Sequence, residues 1–296
     1  MTRTAKSLLG AFAAAMLMSV AAIAQMPGAY LDIGVAKVKP EKRAEFDGLM
    51  KKLADVNRRN KGDQWIAMET MYGEWNTISF VSTRQSYAED EKAFDAFFGA
   101  LSKAYGQAGA AKAWQDLNNT LISFRGEFRR RRFDLSANVP TDAAAYSKLI
   151  GESRWLRTTA VHVRPGHVLD VEGQLKDLKA ALEKESPPHV TLVSQAVAGQ
   201  HGTIFYVSSP VSSLGDFDGR PSGSQLLGEE GYRAFLKVTA ESVASTETVI
   251  NHFLPELSNP PEEIASASPD FWRPKPKPSA KPKEGEAKKA EPKKEQ

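Results

Sequence analysis

Val38-Lys39-Pro40 and Val163-Arg164-Pro165 are one strand-to-helix junction written twice in a chain of 296 residues, 125 positions apart. Around this anchor the likeness runs on in order. Asp47-Gly48 answers Glu172-Gly173, Lys51 answers Lys176, and Leu53 answers Leu178. Gly73, Thr77, Ile78, Val81 and Ser82 answer Gly199, Thr203, Ile204, Val207 and Ser208, and Asp134-Leu135-Ser136 answers Glu256-Leu257-Ser258. Collinear self-similarity with a slowly drifting offset reads as a tandem duplication.

Each copy carries the same order of elements. Leu31 to Val35 alternates as a half-buried strand. Pro40 then opens a helix, as proline favours the first turn, with Phe46, Met50, Leu53 and Val56 on one face. Trp65–Tyr72 and Thr77–Ser82 read as strands joined by a hairpin at Gly73-Glu74-Trp75-Asn76. A helix is expected from Ala88 to Leu121 and a last strand from Phe128 to Phe133. The second copy repeats this with a strand at Leu156–Val163, a helix at Val168–Lys184, and strands at Val190–Val197 and Thr203–Val207. A helix at Tyr232–Val243 and a strand at Thr248–Leu254 complete it. The expected fold class is α+β: two tandem ferredoxin-like βαββαβ units, each a sheet with helices on one face. The units span 25–138 and 154–258, joined by a linker at 139–153 and followed by a disordered Pro/Lys/Glu-rich tail at 259–296.

Arg3 and Lys6, the apolar run Leu8 to Ile23 and the small-residue exit Ala22-Ile23-Ala24 predict a signal peptide over 1–24, cleaved before Gln25. The expected location is periplasmic or secreted, with no transmembrane anchor after cleavage. The chain has no cysteine, which excludes disulfides, thiolate metal sites and cysteine nucleophiles. Residues 25–272 hold 28 basic and 32 acidic groups, so the basic surplus sits in the tail, and no nucleic-acid partner is expected of the folded part. The tail reads either as a spacer or as an electrostatic tether to an anionic envelope surface.

These junctions, with the helix-facing Phe46 and Val171 behind them, resemble the dimeric α/β-barrel superfamily, including its antibiotic-biosynthesis-monooxygenase-like and NIPSNAP-like domains. The resemblance covers most of the mature chain. It implies that the bare faces of two sheets enclose a barrel-like cavity, formed within one chain or between copies in a homo-oligomer. It also implies a choice of activities: haem degradation, quinol oxidation, haem-dependent chlorite breakdown, or binding alone. No positions match the Asn, Trp and His set of the haem-degrading members, nor the proximal His and distal Arg of the chlorite-dismutase-like ones. No cofactor is therefore expected, with haem the alternative.

Candidate ligand-binding residues are polar side chains in otherwise apolar strands: Lys37 aligned with His162, Glu69 with Gln195, and Arg130 with His252. Arg129-Arg130-Arg131-Arg132 sends two guanidinium groups to each face of its strand, either as an anion site, with Arg130 and Arg132 the candidates, or as a charged edge. His162, His167 and Asp170 lack a recognised metal-ligand spacing, and no metal is expected. Trp65, Tyr72, Trp75, Phe80, Phe97, Phe98 and Trp114 serve either as core or as stacking surfaces for a flat ligand. No catalytic motif is present. The reading is an exported protein binding a small anionic or aromatic ligand between two sheet faces. The alternatives are a monooxygenase-like or haem-linked enzyme and an envelope-associated structural protein.

Overall fold

A computed structural model describes residues 28–274. The expected signal segment and residues 275–296 of the expected tail lie outside the described residues. Eight strands alternate with helices along the chain: β1 (Tyr30–Val38), α1 (Arg43–Asn60), β2 (Ile66–Tyr72), β3 (Thr77–Arg84), α2 (Tyr87–Asn119), β4 (Leu121–Arg131), α3 (Ala143–Glu152) and β5 (Trp155–Val163). Next come α4 (Val168–Leu182), β6 (Leu192–Ala198), β7 (Thr203–Val211), α5 (Gly223–Ser242), β8 (Val243–Phe253), and the single turns α6 (Glu262–Ala265) and α7 (Pro269–Trp272).

The strands close into one antiparallel barrel in the order β1-β3-β2-β8-β5-β7-β6-β4. One arc, β4-β1-β3-β2, comes from the first half of the chain and the other, β8-β5-β7-β6, from the second. They join at two seams, β2 with β8 and β4 with β6. The barrel thus closes within a single chain. Closure also removes the edge on which the arginine run was one expected reading, since β4 pairs on both sides.

Helices cover the outside of the barrel. On α1 the stripe Phe46, Met50, Leu53 and Val56 is buried against Ala36, Val38 and Ile78 of the sheet, each side chain contributing about 1.5–3 kcal/mol. A smaller cluster of Val163, Val171, Leu175, Val193 and Phe205 repeats this under α4. No helix of the described residues is long and apolar enough to cross a membrane.

Several boundaries differ from expectation. Strand β4 starts at Leu121 rather than near Phe128, and helix α5 starts at Gly223 rather than Tyr232. The expected linker 139–153 contains α3, whose first turn is capped by Asp142 accepting from the Ala145 amide at 2.7 Å. The segment 259–273, expected to be disordered, is folded: Trp272 is buried and packs with Ile66, Met68, Phe253 and Ala265. Ile150 of α3 and Val81 and Leu156 of the strands close around the same cluster, so this segment plugs one end of the barrel.

Candidate functional site

The most elaborate cavity lies under α2, on the helix side of the first arc. Gly34 of β1 and Gly126 of β4 face each other in register; the Phe124 ring lies over Gly34, and Gly126 leaves open floor beside it. At the corresponding place in the second arc, Thr159 and Thr248 face each other and bond at 2.8 Å, filling the space.

Walls rise from this floor because α2 folds back on itself. Gly106 adopts φ 69°, a conformation open to glycine, and splits the helix in two. Phe97 and Phe98 consequently meet Trp114, with ring centroids 5.9 and 5.4 Å apart, although a straight helix would hold them about 24 Å away. Trp65 closes on Phe97 at 5.8 Å. The resulting cavity has a volume of about 300 Å³ and is lined by Met50, Phe80 and Leu117 beside these rings. Phe94 and Phe124 are half-exposed or more and stand at its mouth.

One end of the pocket is charged. Arg84, only 6% exposed, contacts Asp63 at 2.8 Å, Asp90 at 3.0 Å and Asp32 at 3.2 Å. Three carboxylates around one guanidinium leave negative charge in excess. Burial, reinforced by Asp90, pushes the Asp32 carboxyl up to about 6, and burial also raises Asp63. The pocket therefore pairs a broad aromatic surface with an acceptor-rich end.

A second cavity of about 240 Å³ occupies the barrel lumen. Leu31, Met68, Val81 and Leu156 form its apolar part beside the plugged end, and hydroxyl side chains such as Ser79, Ser194, Ser208 and Thr158 line its walls. Glu127 is fully buried beside it. Its carboxylate accepts from Arg129 at 2.5 and 2.9 Å, Gln200 at 2.5 Å and Tyr206 at 3.2 Å, with Arg125 also at 3.2 Å. Burial alone would raise this carboxyl, but the charges of Arg129 and Arg125 and these bonds hold it below its usual range. Burial pushes the Tyr206 phenol up to about 12.

The residues singled out from sequence scatter over both faces of the barrel. Lys37 lines the lumen mouth, bound to Glu74 at 2.8 Å and to the Trp75 carbonyl at 2.5 Å. His162 lies on β5 between Ile204 and Ser245, outside the lumen lining. Glu69 and His252 are register partners across the β2–β8 seam. There Glu69 holds Arg43 of α1 through both oxygens, and His252 packs against Trp155 with ring centroids 4.4 Å apart and planes tilted by 55°. Burial lowers the His252 pKa. Arg130 and Gln195 are partners across the opposite seam. Arg132 bonds Gln195 at 2.9 Å, Glu172 at 2.6 Å and Asp134 at 2.7 Å. Glu69, Arg132 and His252 thus tie seams to neighbouring elements rather than gather in one cavity.

The aromatics divide more cleanly. Trp65, Phe80, Phe97, Phe98 and Trp114 all line the pocket under α2, whereas Tyr72 and Trp75 are exposed on the hairpin. Sequence reasoning missed the acid end and the glycine floor. Its signal was Gly34 and Asp32 interrupting the helix-side alternation of β1, but its partners Gly126, Asp63 and Asp90 arrive from distant segments.

The chain matches no family model and no curated protein. It is similar in structure to a monooxygenase-like protein from Lactobacillus acidophilus, at 8% identity and a TM-score of 0.48, over 77% of this chain and 94% of that one. An anthrone oxidase-like protein is similar at 12% identity and 0.48, over 76% and 91%. A chlorite dismutase variant from Candidatus Nitrospira defluvii is similar at 8% and 0.45, over 81% and 96%. These neighbours are members of the dimeric α/β-barrel superfamily that the sequence resembles, and at these identities the likeness is one of fold alone. They correct one expectation. Chlorite dismutases are haem proteins, which conflicts with the expectation of no cofactor. Neither cavity, however, fits a histidine-ligated haem: His162, His167, His189, His201 and His252 all lie off both linings.

Proposed function

We propose that the protein binds a small planar aromatic molecule carrying a hydrogen-bond donor, in the pocket under α2. The observation that carries this reading is the facing pair Gly34 and Gly126: Gly34 lets the Phe124 ring lie on the sheet and Gly126 opens a slot beside it, where the other arc is filled by threonines. The volume of about 300 Å³ lies at the lower end of the ligand-pocket range of about 300–1,000 Å³. The rings supply stacking, and Asp32, Asp63 and Asp90 accept from a phenol or amine. The pocket lies between sheet and helix rather than between the two sheet faces expected, and its acid end disfavours an anion, so of the two ligand classes expected it suits the aromatic one.

Naphthol and naphthoate separate the possibilities, since they share a ring system and differ in charge. Naphthol should quench the fluorescence of Trp65 and Trp114 and bind about tenfold tighter than naphthoate, a gap of about 1.4 kcal/mol. Asp32→Asn should narrow that gap. Equal affinity for the two, or no binding of either, would sink the reading.

Asp32 also favours a second reading, monooxygenase-like chemistry. A carboxyl with a pKa of about 6 is ionised at neutral pH and placed to take the proton of a bound phenol. Dioxygen uptake in the presence of naphthol tests this, and the rate should fall as pH drops below about 6, where Asp32 takes up a proton. A flat profile across that range excludes Asp32 as the base.

With this function goes the finer organisation read from sequence: two tandem ferredoxin-like units arranged as in a dimeric α/β barrel, exported after cleavage before Gln25. Mass spectrometry of protein recovered from the culture or periplasm tests the cleavage.

A further inference from the structure

We propose that the barrel lumen is a second binding site, separate from the pocket under α2, and that it takes a small aliphatic monocarboxylate. The sheet itself divides the two cavities: odd-numbered residues of β1 such as Ile33 and Val35 line the lumen, and Gly34 lines the pocket. Each cavity can therefore fill without the other.

Three observations define the occupant. The first is an orphan. Thr77 is 7% exposed, lines the lumen, and its hydroxyl has no hydrogen-bond partner. Leaving such a group unpaired costs about 1–3 kcal/mol, which a ligand oxygen would recover. The second is charge. Arg125 and Arg129 both engage the single carboxylate of Glu127, and Lys37 is matched by Glu74, so the β1–β4 wall keeps one positive charge in excess. Arg125 sits across β1 from Ser79, one step along the lumen from the Lys37–Thr77 pair, which brings the orphan and the surplus charge to the same end. Glu247 stands exposed at the lumen mouth on β8, beside Ala160 of β5, and directs an anion toward the β1–β3–β4 wall. The third is the apolar floor of Leu31, Met68, Val81 and Leu156 at the plugged end. A carboxylate at Thr77 and Arg125 with its hydrocarbon chain down on that floor satisfies all three. A polar cavity of this kind otherwise holds only water.

Methionine methyl groups report the two cavities separately, because Met68 lines the lumen and Met50 the pocket. In the mature protein with isotope-labelled methionine methyls, hexanoate should shift Met68 saturably and leave Met50 unmoved, and hexanamide should bind about tenfold more weakly. Thr77→Val, which keeps the side-chain shape, should weaken hexanoate about fivefold while raising the melting temperature of the unliganded protein. Arg125→Gln, at an exposed position, should weaken it about tenfold. No saturable Met68 shift, meaning a hydrated lumen only, would overturn the proposal. So would hexanamide binding as well as hexanoate, or a response confined to Met50.

Discussion

Gly126→Leu should abolish naphthol binding, by about a hundredfold or more, while leaving the barrel folded and slightly more stable. A Cβ built on Gly126 meets nothing within 4 Å, and the residue lines the pocket, so a side chain there starts without a backbone or ring contact and projects into the ligand's space. Strands disfavour glycine, and its replacement at a strand-compatible backbone returns about 0.5–1 kcal/mol. Loss of binding with a gain in stability distinguishes a filled slot from a damaged fold. Gly34→Leu makes the contrast: its Cβ would stand 2.7 Å from Cζ of Phe124, so that ring must swing outward first. Fluorescence titration and a thermal melt of both variants measure the two effects. Undiminished naphthol binding in Gly126→Leu would place the aromatic site elsewhere.

The stripe Phe46, Met50, Leu53 and Val56 was legible because a surface helix writes its buried face into local spacing. Strand existence was legible for the same reason. Strand facing was not. In this closed barrel one face of each strand meets the lumen and the other the helices, so both carry apolar residues and alternation no longer marks inside from outside. Lys37 therefore proves to be luminal and Glu69 external, although both read as polar residues in apolar strands. The start of β4 was hidden for a related reason: Ile122-Ser123-Phe124-Arg125-Gly126 alternates, but its glycine and arginine blunt the strand signal that Phe128 carries alone. The pocket needed knowledge of register. Gly34 and Gly126 are far apart in sequence, and only the pairing of β1 with β4 turns two isolated glycines into one floor. Likewise Asp32, Asp63 and Asp90 become a site only through Arg84, which draws a strand, a loop and a helix together.

Trp272→Ala should lower the melting temperature by about 10 °C, the consequence of losing about 3–5 kcal/mol when a buried tryptophan is truncated. Composition pointed the other way, since Trp272 stands at the threshold of a run of prolines and lysines. Yet its ring is 1% exposed, lies 6.0 Å from Phe253 and 4.9 Å from Phe271, and donates through Nε1 to the Gly151 carbonyl at 2.8 Å. Gly151 has no room for a side chain, because a Cβ there would sit 2.5 Å from the Ile264 carbonyl oxygen, so α3 and α6 touch backbone to backbone. Trp272→Phe keeps most of the bulk and loses the hydrogen bond, and should cost only about 1–2 kcal/mol beyond its smaller area. Ending the chain at Ser258, where the sequence reading closed the second unit, should cost more than either substitution, because it removes the whole plug. These losses reach the lumen directly: Met68, Val81 and Leu156 rest on the Trp272 cluster and floor the cavity at once. A Trp272→Ala protein that melts with the parent would mean that the segment rests loosely on the barrel. The lumen would then be open at both ends, without the floor on which a hydrocarbon chain could settle.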